Sequence, residues 1–173
     1  MNVVLYQPEI PPNTGSVGRL CAAAEIPLHL IGPLGFKLDD RHLKRAGLDY
    51  WPHVDLHVYG SWEEFLSLHR NARILYFSKK ASKVYTDARF SIGDFLVFGP
   101  ETRGLPQYVL DTNCSDAYRI PMKSPHVRSL NLANAVSIVL YESLRQTGAF
   151  EAHPSACNPH AVRPGIDVWQ EDD

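Results

Sequence analysis

The sequence predicts an α/β fold with a mainly parallel sheet and helices on both faces, and three observations lead to this prediction. Short runs rich in β-branched and aromatic residues alternate with longer stretches of helical periodicity. Two of the runs, Ile74–Phe77 and Phe95–Phe98, are apolar at every position, which is typical of strands buried on both faces. Neither a repeat nor a linker divides residues 1–150, so we expect a single domain there.

The predicted strands are short and are bounded by turn residues. They are Val3–Tyr6, Leu28–Ile31, Leu56–Tyr59, Ile74–Phe77, Phe95–Phe98 and Tyr118–Ile120.

Four helices are predicted between or after these strands. Asn13 and Thr14 offer caps for the first, Asp39 opens a second that ends near Gly47, and Ser61 opens a third. The last runs from Asn131 to Arg145. Its apolar spacing predicts a buried face of Leu132, Val136, Val139, Leu140 and Leu144.

Composition excludes several classes of protein. Hydrophobic residues make up 45% of the 173 residues and charged residues 21%, as in ordinary globular proteins. No apolar run approaches the roughly 20 residues that cross a bilayer, and no basic, apolar leader opens the chain. We therefore expect a cytoplasmic protein with no membrane partner.

The cysteines and the C-terminal segment suggest neither disulfides nor a metal site. Cys21, Cys114 and Cys157 are odd in number and far apart, so no disulfide framework is expected. Residues 151–173 are rich in Pro, His and acidic residues, and we expect a tail of low order there. His153, Cys157 and His160 lie close together in it, but zinc normally takes four ligands, so no metal is predicted.

Any nucleic-acid surface must be a local patch, because the net charge is −2. Each candidate basic cluster is also compatible with an ordinary solvated face. The candidates are Arg41, Lys44, Arg45, Lys79, Lys80, Lys83, Lys123 and Arg128.

Three loops carry the residues that point to chemistry, and each lies at a strand end, where open α/β sheets build their sites. The first, Asn13–Arg19, resembles a phosphate loop but lacks the glycine fingerprints of nucleotide binders. Its Arg19 is unusual on an otherwise apolar helix, although it is also compatible with an ion-paired surface residue.

The second loop, Phe98–Pro106, follows a buried strand and contains two glycines and two prolines that impose an unusual backbone path. We expect Gly99, lacking a side chain, to let a ligand approach the backbone. Glu101 and Arg103 either serve a site or form a surface pair. The third loop carries Ile120, Met122 and Ser129 up to the last helix.

At the start of that helix, Ser129 and Asn131 are both candidate caps, and Asn134 adds a third polar side chain. Capping needs only one of them, so we expect the others to serve a site.

In this order, the three loops resemble the SpoU-type 2′-O-ribose branch of the SPOUT methyltransferases. The likeness covers about residues 1–148 and includes the flanking stretches Val4–Gly15 and Arg45–Tyr50, which resemble short enzymes that methylate the wobble ribose of tRNA. The chain departs from that pattern at Gly18, where the family has a bulky aliphatic residue.

The resemblance implies a SPOUT fold with a C-terminal trefoil knot and a bent S-adenosylmethionine in a pocket of knot loops. The partner would be a tRNA anticodon loop, and no metal would be needed. The implied cofactor-binding residues are Phe77, Gly99, Glu101, Gly104, Ile120, Met122, Ser129 and Leu130.

The resemblance also implies a homodimer in which Arg19 reaches the methyl-transfer centre of the other chain. We expect the first and last helices to supply the interface, including Val136, Leu140 and Leu144. Arg19 would be either the electrostatic partner of the ribose oxygen or the base. The implied catalytic residues are Arg19, Asn13, Glu101, Ser129 and Asn131, with Asn13 and Glu101 orienting Arg19 and the other two holding the hydroxyl or the cofactor carboxylate.

Two other functions fit the alternation of strands and helices. A dinucleotide-dependent oxidoreductase would need the glycine fingerprint after the first strand, which this chain lacks. A knotted RNA-binding module without catalysis would not need the motif residues, all of which are present. Specific binding of S-adenosylmethionine distinguishes the methyltransferase from both.

Overall fold

The computed structural model describes residues 1–37 and 48–149. The strands are β1 (Asn2–Tyr6), β2 (Leu28–Ile31), β3 (Leu56–Tyr59), β4 (Ile74–Phe77), β5 (Lys83–Val84), β6 (Phe95–Phe98) and β7 (Ala117–Arg119). The helices are α1 (Pro11–Ala24), α2 (Trp62–Leu68), α3 (Gln107–Thr112) and α4 (Leu132–Thr147), with 3-10 turns at Leu48–His53, Tyr85–Asp87 and Cys114–Asp116. The helix predicted from Asp39 to Gly47 and the C-terminal tail lie outside the described residues.

The seven strands form one sheet in the order β3-β2-β1-β6-β4-β7-β5, and every neighbouring pair is parallel. The predicted α/β class with a parallel sheet is therefore confirmed. In the register, Leu5 of β1 lies between Leu30 of β2 and Phe98 of β6. Because all the strands run the same way, their carboxyl ends share one edge of the sheet.

Alternate residues of each central strand enter two separate cores, one on each face of the sheet. Val3 and Leu5 of β1 pack with α1 and α4, whereas Val4 and Tyr6 pack on the α2 and α3 side. This double burial explains the continuous apolar runs of the sequence. Cys21 is fully buried in the first core, and burial raises the pKa of its thiol to about 12.

Two short elements were not predicted from the sequence. Strand β5 has only two residues, Lys83–Val84, and its polar, short run carries no alternation to detect. Helix α3 is six residues long and follows Pro106. The last strand also begins and ends one residue earlier than predicted, at Ala117–Arg119.

Helix α1 begins two residues before the expected caps. Pro11 and Pro12 occupy its first turn, and Ile10 is the N-cap residue with no side-chain cap bond. Proline suits this position because the first helical N–H groups have no acceptor within the helix. The prediction that Asn13 or Thr14 caps this helix is thus wrong.

The caps of α2 and α4 follow the sequence more closely. Ser61 Oγ accepts a hydrogen bond from the N–H of Glu64, as predicted for the start of α2. In α4, Asn131 is the N-cap and Gly148, with φ 66°, ends the helix in the left-handed conformation. None of the helices in the described residues is long and apolar enough to cross a membrane.

A chain of hydrogen bonds links the side chains of His29 in β2, Tyr59 at the end of β3 and His69 just after α2. His29 Nδ1 lies 2.9 Å from the Tyr59 hydroxyl, which lies 3.0 Å from His69 Nε2, and His29 Nε2 lies 3.3 Å from Asn2 Oδ1. The ring of His29 also stacks on that of His57 at 4.7 Å. Burial, followed by the nearby His57 and His69, lowers the pKa of His29 to about 4.

We predict that His29 makes the folded state less stable in mild acid. Below the ordinary pKa of 6.5, His29 takes up a proton in the unfolded chain, whereas in the folded chain it stays neutral until about pH 4. The stability that His29 contributes is therefore fully present above pH 6.5. It decreases between pH 6.5 and pH 4, by up to about 3 kcal/mol. The free energy of unfolding in urea, measured at several values between about pH 7.5 and pH 5, should fall less steeply with falling pH for His29→Gln than for the parent. The exposed His53→Asn is the control, and an unchanged slope in His29→Gln would contradict the prediction.

Candidate functional site

The three sequence motifs meet in one cleft at the carboxyl edge of the sheet. The cleft has a volume of about 510 Å³ and lies beyond the ends of β1, β4, β6 and β7. The strand order changes direction at β1, with β2 and β3 on one side and β6 and β4 on the other. Open α/β sheets bind ligands at such a switch point.

All eight residues predicted to bind a cofactor line this cleft. They are Phe77, Gly99, Glu101, Gly104, Ile120, Met122, Ser129 and Leu130. Of the predicted catalytic residues, Asn13, Glu101, Ser129 and Asn131 line it as well, whereas Arg19 does not. Their chemical roles stay predictions, but the placement brings residues from three distant loops together.

Glu101 ties the second motif to the first. Its Oε2 accepts a hydrogen bond of 2.8 Å from the N–H of Glu9, and its Oε1 accepts bonds from the N–H of Ile10 at 3.2 Å and from Asn13 Nδ2 at 3.0 Å. The carboxylate thus binds the backbone where the chain enters α1. Hydrogen bonds to a carboxylate are charge-assisted and roughly twice as strong as neutral ones.

Glu9 makes the reciprocal contacts and was missed by the sequence reasoning. Its Oε2 accepts from the N–H and the hydroxyl of Thr102, at 3.1 and 2.6 Å, and its Oε1 pairs with Arg103 at 3.3 Å. These bonds, led by the one from the Thr102 hydroxyl, lower the pKa of Glu9. Arg103 therefore pairs with Glu9 rather than with Glu101. An acidic residue just after the first strand was the available signal.

Asn131 joins the third motif to the first. Its Nδ2 donates to Asn13 Oδ1 at 2.9 Å, while its Oδ1 caps α4 by accepting from the N–H groups of Ala133 and Asn134. Asn13 in turn donates to Glu101, so one hydrogen-bonded chain runs from the start of α4 to the loop after β6. The sequence offers both Ser129 and Asn131 as caps of this helix, and the structure shows that Asn131 is the cap.

Gly99 allows a close approach of backbone to backbone. A Cβ at Gly99 would fall on the backbone nitrogen of Leu105 and the carbonyl carbon of Gly104. The loop itself fills the space that a Gly99 side chain would need, and Gly99 also lines the cleft, so the approach of a ligand to its backbone stays a prediction. Gly104 has φ +68°, which favours glycine, and its N–H donates to the Pro100 carbonyl at 2.9 Å.

Basic side chains lie along the rim of the cleft. Lys79, Lys80, Arg103 and Arg128 all line it and are exposed. Lys79 Nζ donates to the carbonyl of Arg128 at 3.1 Å, which joins the loop after β4 to the loop before α4. Lys83 does not line the cleft. Among the other predicted phosphate contacts, Arg41, Lys44 and Arg45 lie outside the described residues, whereas Lys123 is exposed.

Arg19 is exposed and lies against the 3-10 turn Leu48–His53. Its guanidinium carbon is 4.7 Å from the ring centroid of Tyr50. The neighbouring Trp51 explains the glycine at position 18, because a Cβ there would lie 2.7 Å from Trp51 Cζ3. The departure from the family pattern at Gly18 is thus matched by an aromatic ring that takes the space.

The buried face of α4 is confirmed, but the predicted interface residues on it are not available. Val136 and Leu140 are fully buried in the core of their own chain, and Leu144 is 4% exposed. The large apolar residues that α4 does expose are Ile138 and Tyr141. The three residues were assigned both to a core face and to a dimer surface, and only the first assignment is correct.

Comparison with known proteins identifies close relatives. Residues 1–141 match the model of the SpoU rRNA methylase family. A protein of Saccharophagus degradans named tRNA (cytidine(34)-2′-O)-methyltransferase is 47% identical over 148 residues, which are 85% of this chain and 96% of the relative.

Solved structures show the same likeness. One, described as giving structural insights into the 2-OH methylation of C/U34 on tRNA, has 54% identity and a TM-score of 0.80, covering 84% of this chain and 94% of that one. The SpoU methyltransferase AviRb of Streptomyces viridochromogenes, in complex with AdoMet, has 25% identity and a TM-score of 0.74, covering 84% of this chain and 57% of that one.

We predict that Gly99→Ala destabilises the protein more than Gly104→Ala. The first change forces a side chain into backbone, which costs about 1–3 kcal/mol or more, whereas the second adds only the strain of a left-handed residue, about 1–2 kcal/mol. Gly93, with φ +93° and open space around it, is the matched control for that strain. Free energies of unfolding in urea measure all three variants. A loss in Gly99→Ala no larger than in Gly93→Ala would contradict the prediction.

Proposed function

Because the chain belongs to the SpoU rRNA methylase family, we propose that it is an S-adenosylmethionine-dependent tRNA methyltransferase of the cytoplasm. It methylates the ribose 2′-hydroxyl of cytidine or uridine at position 34, the wobble position. The observation that carries this proposal is the meeting of three sequence-distant motifs in one cleft. The names of relatives at 47 and 54% identity support the substrate.

The two rival functions do not survive the comparisons. The chain shares 47% identity with a tRNA methyltransferase and belongs to a methylase family, so the oxidoreductase hypothesis is wrong. The same relative counts against a knotted RNA-binding module without catalysis, because its name is that of a methyltransferase.

The residues of the cleft fit S-adenosylmethionine. A volume of about 510 Å³ lies within the range of small-molecule sites. Ile120, Met122 and Leu130 offer apolar contacts for an adenine ring, and the polar network of Asn13 and Glu101 lies on the same cleft. When bound, the cofactor supplies a methyl group on a sulfonium, already a strong electrophile. AdoMet in the AviRb structure supports this cofactor.

The task left to the protein is to align the ribose hydroxyl and to support the charge that develops on its oxygen. A preorganised cation performs the second part, and Arg19 is the residue that we assign to it. A guanidinium keeps its proton at neutral pH, so this electrostatic role is the simpler of the two that the family resemblance allows. Ser129, exposed at the cleft, is the candidate to position the hydroxyl or the carboxylate of the cofactor.

The active form is proposed to be a homodimer. Arg19 does not line the cleft of its own chain, so a second chain is the natural source of this residue. Ile138, 37% exposed, and Tyr141, 48% exposed, give α4 an apolar surface beside α1, on which such a chain can pack. We also propose that the C-terminal part of this fold forms the trefoil knot of the SPOUT methyltransferases.

The RNA-binding surface is proposed to be the basic rim of the cleft. Lys79, Lys80 and Arg128 lie where the phosphates that flank an inserted nucleotide would pass. Such contacts fix the position of the RNA without reading its sequence. An unpaired loop nucleotide can be read directly by its exposed edges, which suits a small enzyme acting on an anticodon loop.

We expect Arg19→Ala to keep its affinity for S-adenosylmethionine within a few-fold but to lower kcat about 10²- to 10³-fold, because one preorganised charge is lost from the transition state. Calorimetric titration and single-turnover methylation measure the two quantities. Arg70→Ala, at an exposed arginine just after α2, is the control. Methylation by Arg19→Ala at the parental rate would refute the assigned role.

Neutralising Lys79 and Lys80 together should weaken binding to all tRNA substrates alike and reduce its dependence on salt. Each lost phosphate contact removes about one released counterion, so the slope of log K against log salt falls by about 2. Filter binding at several salt concentrations tests this. Arg70→Gln with Arg89→Gln, two exposed arginines that do not line the cleft, forms the matched pair. If the slope of log K against log salt is the same as in the parent, Lys79 and Lys80 do not contact the RNA.

The proposed function is tested by methyl transfer to an anticodon stem-loop. One substrate carries cytidine at position 34, and a second carries 2′-deoxycytidine at that position alone. Labelled methyl groups should enter the first and not the second, because only the first has the acceptor oxygen. Equal incorporation into both substrates would exclude the 2′-hydroxyl as the acceptor.

A further inference from the structure

Arg19 rests on the 3-10 turn Leu48–His53, and the contacts within that turn are specific. The Tyr50 hydroxyl donates a 2.8 Å hydrogen bond to the carbonyl of Gly15, and the Tyr50 ring lies 4.7 Å from the guanidinium carbon of Arg19. In an α-helix the carbonyl of Gly15 is also the acceptor for the N–H of Arg19. Tyr50 therefore contacts both the backbone turn that carries Arg19 and the charged end of its side chain.

Trp51 holds the same turn against α1 from the neighbouring position. A Cβ at Gly18 would come within 2.7 Å of Trp51 Cζ3, so glycine at this point lets the turn lie close to the helix. The residue just before Arg19 is therefore the one against which the turn packs.

We propose that Tyr50 is a positioning residue that preorganises Arg19 for methyl transfer. This inference rests on the proposed function. A long arginine side chain gains catalytic power only if it is already oriented when charge develops on the ribose oxygen. Attraction between a guanidinium and the face of an aromatic ring supplies such orientation. The ring of Tyr50, anchored by its hydroxyl to Gly15, is placed to do this.

Three substitutions separate positioning from packing. Tyr50→Phe keeps the ring and should keep kcat within about threefold of the parent. Tyr50→Leu keeps an apolar side chain but loses the ring, and should lower kcat about tenfold, with the KM for RNA and the affinity for S-adenosylmethionine within about twofold. Tyr85→Leu, at a half-buried tyrosine that packs on the core, is the control for loss of a ring and should match the parent.

A double variant shows whether the effect passes through Arg19. Adding Tyr50→Leu to Arg19→Ala should lower kcat no further, because the residue that Tyr50 positions is already gone. The proposal is overturned if Tyr50→Leu turns over like the parent, if Phe and Leu lose activity equally, or if the two losses multiply. A parent that transfers no methyl group to the stem-loop would overturn the proposed function, and this inference with it. An active parent with any of those three results overturns the inference alone.

Discussion

The carboxylate of Glu101 is the contact on which the site depends. It receives the backbone N–H groups of Glu9 and Ile10 and the side chain of Asn13, and so joins the loop after β6 to the start of α1. Glu9 returns the contact by accepting from Thr102. Because each carboxylate binds the other segment's backbone, neither loop can move without breaking charge-assisted hydrogen bonds, which contribute more than neutral ones.

This clamp sets where the residues of α1 lie. Asn13, in the first turn, is held in the cleft, whereas Arg19 is six residues further along, about 9 Å at the rise of an α-helix. Arg19 then faces the turn that carries Tyr50 instead of its own cleft. This arrangement supports the proposed dimer, because Arg19, the cation that we assign to the transition state, does not line the cleft of its own chain.

Much of the fold could be predicted from the sequence because burial leaves a clear pattern. The continuous apolar runs of β4 and β6 and the spaced apolar residues of α4 indicated their elements directly. Contacts between distant segments left no such pattern. The pairing of Arg103 with Glu9, the packing of Gly99 against Leu105 and the ring of Trp51 over Gly18 all depend on tertiary approach. For the same reason, the apolar spacing of α4 did not separate core residues from interface residues.

Mixed dimers test most directly whether Arg19 serves the cleft of the other chain. Arg19→Ala retains an intact cleft, and Ile120→Arg retains Arg19 but blocks the cleft that Ile120 lines. Each variant alone should retain only a small fraction of the parental methyl transfer. If the two are co-expressed, about half of the dimers are mixed and each has one complete site, so about a quarter of parental methyl transfer should return. Co-expressed chains that stay as inactive as either variant alone would contradict a catalytic arginine supplied across the interface.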